Sequence, residues 1–347
     1  MATQRDEGAV PFAISHELQQ FRLLELPPEI VELIDSPDPP QLCIKSQVPP
    51  SDPNAPNAKA AYAVLCTPNK TFQLRQVQTS NSVFITQPTA LAPPPDHGND
   101  IPVPTTQAIA SCTTTLELHP VAVSPASTLE ELLPIYDIVD GEVDAIGNAG
   151  TKASILEHIP LSEGQFDQGW IEVLAFEVGG HSYRPTANTT TQVWKSVVAA
   201  ALAEGVKLDT QFLTQDIAKL VAEEGFPGDL AATICKHLST AEQGLNGPWS
   251  CLDQGKTVRF VGTKLLQARG GSSSYSLLDF LETWKENLPQ AWHSDVKLSS
   301  IEGAYDQPTT STITAKGAAL PAAQAEKPGT KASARKWHEK FGKMRKR

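Results

Sequence analysis

KTFQLRQVQTSNSVFIT, residues 70–86, is the stretch around which the first third of the chain organises. Phe72 and Leu74 alternate with Gln73 and Arg75, the period-2 pattern of a strand with one buried face. Upstream, Ala63–Cys66 (AVLC) is a second apolar run. The intervening Thr67-Pro68-Asn69-Lys70 has turn chemistry, because Pro fixes φ and Asn tolerates positive φ. The two runs therefore predict a hairpin. Gln78–Ser82 (QTSNS) reads as a polar break, and Val83-Phe84-Ile85 as a third antiparallel strand beyond it.

Outward from this meander, Phe21–Leu26 (FRLLEL) predicts a strand. Pro27-Pro28 stops it and pre-sets a short helix bearing Ile30, Val31, Leu33 and Ile34. Residues 1–20 are polar and weakly patterned, Leu42–Ile44 is a short strand, and Ala108–Leu118 is a Thr-rich β run. Seven prolines in residues 37–56 and six in 88–104 exclude central strands there, since proline removes a ladder donor. A few short strands cannot bury much of a core, and their edges leave backbone groups unpaired. Either the sheet closes as a small barrel or a partner supplies strands.

Composition divides the chain. Twenty of its 28 prolines lie in residues 1–134, whereas all six tryptophans lie at or after Trp170, so a loop-rich β region precedes a helical one. Length 347, 40% apolar residues and a mean hydropathy of −0.23 describe a soluble, foldable chain. With no run of about 18 apolar residues and no basic-then-apolar leader, an intracellular protein without a membrane span is expected. Under that expectation the sequons at Asn69 and Asn188 carry no glycan, and the five scattered cysteines are reduced. Net charge is −11, but residues 331–347 hold eight Lys or Arg against one Glu, a local +7, which leaves −18 for the first 330. An acidic body does not attract nucleic acid through its overall field; a basic tail does.

In the second region the period shifts to 3.6. Leu129–Ile135 predicts a helix capped by Ser127 or Thr128 and limited by Pro134, and Gly141–Gly150 reads as a linker. Ser162–Gln165 has the form of a capping box, followed at helical spacing by Phe166, Trp170, Val173, Leu174 and Glu177, with Gly179-Gly180 ending the helix and His181–Arg184 forming a strand. Thr190 or Thr191 is expected to cap a helix with Trp194, Val197, Val198, Ala201 and Leu202 inward. Thr214 starts a second helix and Pro227 a third, with Leu230, Ile234 and Leu238 buried. Trp249–Leu252 and Thr257–Val261 then read as a hairpin across Asp253–Lys256. Three helices and a hairpin is a winged-helix pattern. It partly recurs at Leu277–Leu288, capped by Ser276; residues 303–330 read as a flexible linker, and Ala334–Met344 places Trp337, Phe341 and Met344 on one helical face.

Catalytic chemistry is missing from the sequence. Gly255-Lys256-Thr257 lacks the first glycine of a phosphate loop, which would fall at Ser250. The eight histidines have no metal-ligand spacing, and there is no Gly-x-Ser-x-Gly elbow. No enzyme and no cofactor are expected. In the third helix, one lysine (Lys236) against one aspartate (Asp229) makes a poor phosphate clamp, so protein docking is favoured over base reading; the expected wing offers Lys256 and Arg259.

The run Ala63–Ile85 together with FRLLELPPEIVELI at 21–34 resembles the Dcc family of sister chromatid cohesion proteins. The similarity continues through Leu161–Phe166, Gly225–Pro227 and Ile301–Gly303 to Lys336–Glu339. That resemblance implies a non-catalytic subunit of an alternative, replication factor C-like clamp loader, in the nucleus and on chromatin. It implies an α+β fold: an N-terminal barrel built jointly with the large and small subunits, then tandem winged helices that dock the catalytic part of the leading-strand polymerase and touch single- and double-stranded DNA without sequence dependence. The expected units are a β dimerisation region at 1–128, a linker region at 129–150, and winged-helix-like units at 151–185, 186–262 and 263–347. The residues expected to meet partner subunits are Phe72, Leu74, Val83, Phe84 and Ile85. Those expected to meet nucleic acid are Lys256, Arg259, Lys331, Arg335, Lys336, Lys340, Lys343, Arg345, Lys346 and Arg347, the tail serving as a DNA arm, a nuclear signal or both. The alternative function is a winged-helix transcription factor or chromatin adaptor, which needs a basic recognition helix that this chain lacks.

Overall fold

The structure is a computed structural model that describes residues 11–46, 62–91, 102–121, 124–139, 142–145, 147, 149–240, 247–269 and 275–316. The basic tail from Lys331 onward lies outside the described residues. The protein is mixed α/β and has two compact units, one of residues 1–129 with 152–169 and one of residues 130–151 with 170–347.

The first unit is built on β1 (Phe12–Ile14), β2 (Leu23–Glu25), α1 (Pro28–Ile34), β3 (Cys43–Ser46), β4 (Ala63–Cys66), β5 (Thr71–Leu91) and β6 (Val103–Pro120). Sheet order is β1-β6-β5-β4-β3, with β2 also pairing β6. The hairpin read from Thr67–Lys70 is present: Cys66 pairs with Thr71, and the Thr67 amide donates to the Lys70 carbonyl at 2.9 Å. The third strand is not separate. Val83–Ile85 continues β5, and the polar run between Gln78 and Val83 is a bulge in one 21-residue strand that pairs with β6 on both sides of it. The proline stretches do contribute strand at their ends, where Pro88 and Pro104 lie in β5 and β6. Among the described residues neither proline has a strand on its own outer side, since β4 pairs β5 only at Thr71–Gln73 and β1 meets β6 from Thr106 on. β1, within a stretch read as unpatterned, pairs parallel to β6 at Thr106–Ala108.

The hairpin turn is fastened to α3 (Lys152–His158) and to the start of α4 (Glu163–Glu172). Ser162 caps α4, its hydroxyl accepting from the Gln165 amide at 3.3 Å and donating to Gln165 Oε1 at 3.0 Å. The Thr71 hydroxyl completes this knot, accepting from the Ser162 amide at 2.7 Å and donating to Gln165 Oε1 at 2.6 Å. The Gly164 amide donates to the Pro68 carbonyl at 2.8 Å, and a Cβ on Gly164 would stand 2.4 Å from Asn69 Oδ1, so the turn approaches a residue that must be glycine.

The second unit gathers one hydrophobic core from Tyr136 to Ile313. Here α2 (Pro125–Leu132) leads to β7 (Ile135–Val139) and β8 (Glu142–Ala145), a hairpin where a linker was expected. α4 stops at Glu172, and β9 (Phe176–Val178) pairs with β10 (His181–Pro185) across Gly179-Gly180, whose φ values of 60° and 82° explain the glycines better than a helix end. Then come α5 (Ala187–Ala203), β11 (Phe212–Leu213), α6 (Thr214–Glu223), α7 (Gly228–Leu238) and β12 (Trp249–Ser250). Thr186 caps α5, accepting from the Thr189 amide, while Thr190 and Thr191 lie inside the helix with their hydroxyls on the Thr186 and Ala187 carbonyls. Of the expected apolar face of α5, Leu202 is 81% exposed.

The expected hairpin at 249–261 is corrected by α8 (Gln254–Ala268), which also runs through the 262/263 boundary. Asp253 accepts from the Lys256 amide as an N-cap, and Thr257, Val258, Val261, Gly262, Leu265 and Leu266 form its buried stripe. β12 instead pairs with β11, and Ser239 bridges Leu252. A second helix-rich set follows: β13 (Tyr275–Ser276), α9 (Leu277–Glu286), 3₁₀ turns at Gln290–Asp295 and Leu298–Ile301, then β14 (Tyr305–Thr309) and β15 (Thr312–Ala315). These last strands replace the start of the expected flexible linker, and the sheet order is β13-β15-β14. The Trp194 indole N–H donates to the Asn287 carbonyl at 2.8 Å, tying the first set to the second. A Cβ on Gly262 would lie 2.6 Å from the ring of the fully buried Trp284, so α8 and α9 meet at a mid-helix glycine.

Candidate functional site

On the sheet, the residues expected at a partner interface part company. Phe72 is 1% exposed and packs with Ile30, Leu65 and Leu118, with Leu74 partly buried beside it, so Phe72 belongs to this chain's own core rather than to an interface. Val83 and Phe84 are exposed on the far half of β5, Phe84 at 45%. Ile85 is half-buried. Phe12 and Ile14 on β1, which sequence reading missed for lack of a repeating pattern, are exposed too, and the Phe12 and Phe84 rings meet edge to face at 6.3 Å.

Beside these side chains runs an open edge. β4 covers β5 only at Thr71–Gln73; from Leu74 to Leu91 the side of β5 away from β6 pairs with no strand among the described residues. Every second residue there points its N–H and C=O outward. A long edge carrying exposed apolar residues is a template for another chain. β3, the last strand on that same side of the sheet, adds an exposed Ile44.

The cationic candidates are brought onto one element: Lys256 and Arg259 lie three residues apart in α8. Both side chains are exposed, and each also donates within the chain. Lys256 Nζ donates to the His237 carbonyl at the end of α7, and Arg259 donates to the Glu302 carbonyl at 3.4 Å. The side chains of α7 are also engaged. Thr233 donates to the Ala175 carbonyl at 3.2 Å. Burial, and then the neighbouring Glu177 carboxylate, raise the Asp229 carboxyl. Burial, followed by the Lys256 and Lys264 ammoniums, lowers His237 to about 4, and its ring lies 5.5 Å from Phe260. Burial lowers Lys264 as well. At neutral pH the His237 ring is therefore uncharged, packed in the joint between α7 and α8.

Among the described residues, no group of three His, Cys, Asp or Glu is placed to hold a metal ion, and no helix is long and apolar enough to cross a membrane. A family model described as Sister chromatid cohesion protein Dcc1 matches residues 21–324, and the chain belongs to that family. Membership implies a role in sister chromatid cohesion and, with it, a chromosome-associated, nuclear one. No curated protein matches the chain.

Because the folded pKa of His237 is depressed, the unfolded chain takes up the proton first. The stability from the neutral ring is complete above about pH 6.5 and is lost as pH falls through about 4. His237→Gln is expected to remove about 2–3 kcal/mol of the loss between those limits, read as the difference between wild-type and variant melting curves across that pH range. Superimposable pH dependences would contradict the buried neutral ring.

Proposed function

We propose that this protein is a non-catalytic subunit of a replication factor C-like clamp loader, and that its N-terminal sheet is completed by strands from the large and small subunits. The observation that carries this reading is the outer edge of β5 from Leu74 to Leu91, which pairs with no strand among the described residues and is flanked by exposed Val83, Phe84, Phe12 and Ile14. Strand addition gives such an edge its hydrogen-bond partners, and the apolar side chains supply specificity.

The second unit is, in this proposal, a docking platform for the catalytic part of the leading-strand polymerase. Its second set, α8-β13-α9-β14-β15, ends in a hairpin with the strand order β13-β15-β14, as a winged helix does, while the first, α5-β11-α6-α7-β12, has three helices and a single return strand, β12, paired with β11. The internal engagement of Thr233, His237 and Lys256 favours protein docking over base reading by α7. DNA contact then falls to the basic tail.

Two measurements test the proposal. Reconstitution with the large and small subunits should weaken on Val83→Asp with Phe84→Asp by about 2 kcal/mol or more, roughly 30-fold in affinity, while the melting curve of the isolated chain stays put, since both side chains are exposed. Undiminished assembly would remove β5 from the interface. For the tail, Lys340, Lys343, Arg345, Lys346 and Arg347 changed together to Ala should flatten the dependence of log duplex affinity on log salt by a slope of about 4 to 5. An unchanged slope leaves the tail as a localisation signal only.

A further inference from the structure

Cys43 and Cys66 are direct partners in the antiparallel pairing of β3 with β4, so their side chains leave the sheet on the same face. Cα separations in antiparallel pairs are about 4.5–5.5 Å, within the span that a disulfide bridges. Both thiols are reduced, and both residues line one cleft of about 660 Å³ together with Lys45, Pro68, Leu156 and Glu163. Their environments differ in a way that suits two successive steps. Cys43 is exposed and open to a small molecule; Cys66 is buried, with its sulfur 3.9 Å from the Thr71 hydroxyl. Burial pushes the Cys66 thiol up, the Thr71 hydrogen bond and the Lys45 ammonium working against that rise. The remaining cysteines lack such a neighbour: Cys112 lies opposite Val83, Cys251 donates to the Asp209 carbonyl at 3.3 Å, and full burial drives Cys235 to about 12.

We propose that Cys43 and Cys66 are a dithiol that a low-molecular-weight disulfide of the glutathione class oxidises to a cross-strand disulfide, fixing the outermost strand of the sheet covalently. The Cys43 thiolate attacks one sulfur of the small disulfide, forming a mixed disulfide and releasing one small thiolate. Cys66 gives its proton to solvent and attacks the Cys43 sulfur, releasing the second. The small disulfide gains two electrons, the two cysteines lose two, and two small thiols are the products. The bond adds a covalent link to the β3–β4 ladder and to the contacts around it. β3 carries Lys45, whose ammonium donates to the Leu156 and Leu161 carbonyls at 2.7 and 2.9 Å, and Cys66 precedes the turn that holds the Ser162 cap. Oxidation also closes the chain between residues 43 and 66, restricting its unfolded state.

The test uses the full-length chain in glutathione buffers of graded oxidised fraction, with acid quenching, alkylation and peptide mapping. Two of the five thiols should disappear together, as a link between the Cys43 and Cys66 peptides. The melting temperature should rise by several degrees and return on reduction. Cys43→Ser, at an exposed position, should fold normally and show neither the link nor the rise. A glutathione adduct that persists on Cys43 without a link, a link formed only in denaturant, or a link that leaves the melting temperature unchanged would each overturn the proposal.

Discussion

The backbone of β5 carries more hydrogen-bonding groups than this chain's own described strands satisfy. Twenty-one residues are held extended by β6 on one side, while β4 reaches only the first three on the other. Each outward N–H and C=O must find water or another strand. Near the turn the strand is anchored by Phe72 in a small core; towards Leu91 it is an edge ribbon flanked by β6 alone among the described residues, with Val83, Phe84 and Leu91 exposed. Such a ribbon is marginal alone and becomes a stable sheet once a further strand is added. The proposed role in a multi-subunit loader follows from that imbalance.

The second unit answers the opposite demand. Its core runs continuously through α5 to β15 and is pinned by indoles: Trp194 on the Asn287 carbonyl, and Trp284 on the Val258 carbonyl at 3.0 Å and against Gly262. A rigid body of this kind holds its surface in one shape, as a docking platform requires. The joint between α7 and α8 shows the same economy, since Lys256, which sequence reading offered to DNA, donates within the fold to the carbonyl of the buried His237.

Where burial wrote a period into the sequence, the structure was legible. The Ala63–Cys66 hairpin, the Ser162 cap and the buried faces of α6 and α7 all follow from apolar spacing and capping chemistry. Where a strand has little to bury, the signal is lost. Gln78–Ser82 is a polar bulge on the open side of β5, and so looks like a loop; β14 and β15 bury only Ile313 fully. α8 was misread for another reason. Thr257–Val261 is β-branched and aromatic, and Asp253-Gln254-Gly255-Lys256 resembles a turn, but Asp253 is an N-cap and the stripe repeats at 258, 261, 262 and 265. At the interface, apolar character alone could not separate Phe72, which the fold consumes, from Phe84, which it leaves outside.

Amide hydrogen exchange along β5 tests the central claim most directly, comparing the isolated chain with its complex with the large and small subunits. The alternate amides between Leu74 and Leu91 that point away from β6 are predicted to exchange freely in the isolated chain and to become protected in the complex, while those facing β6 are slow in both. Protection of the outward amides in the isolated chain, or their continued free exchange in the assembled complex, would contradict a sheet that its partners complete.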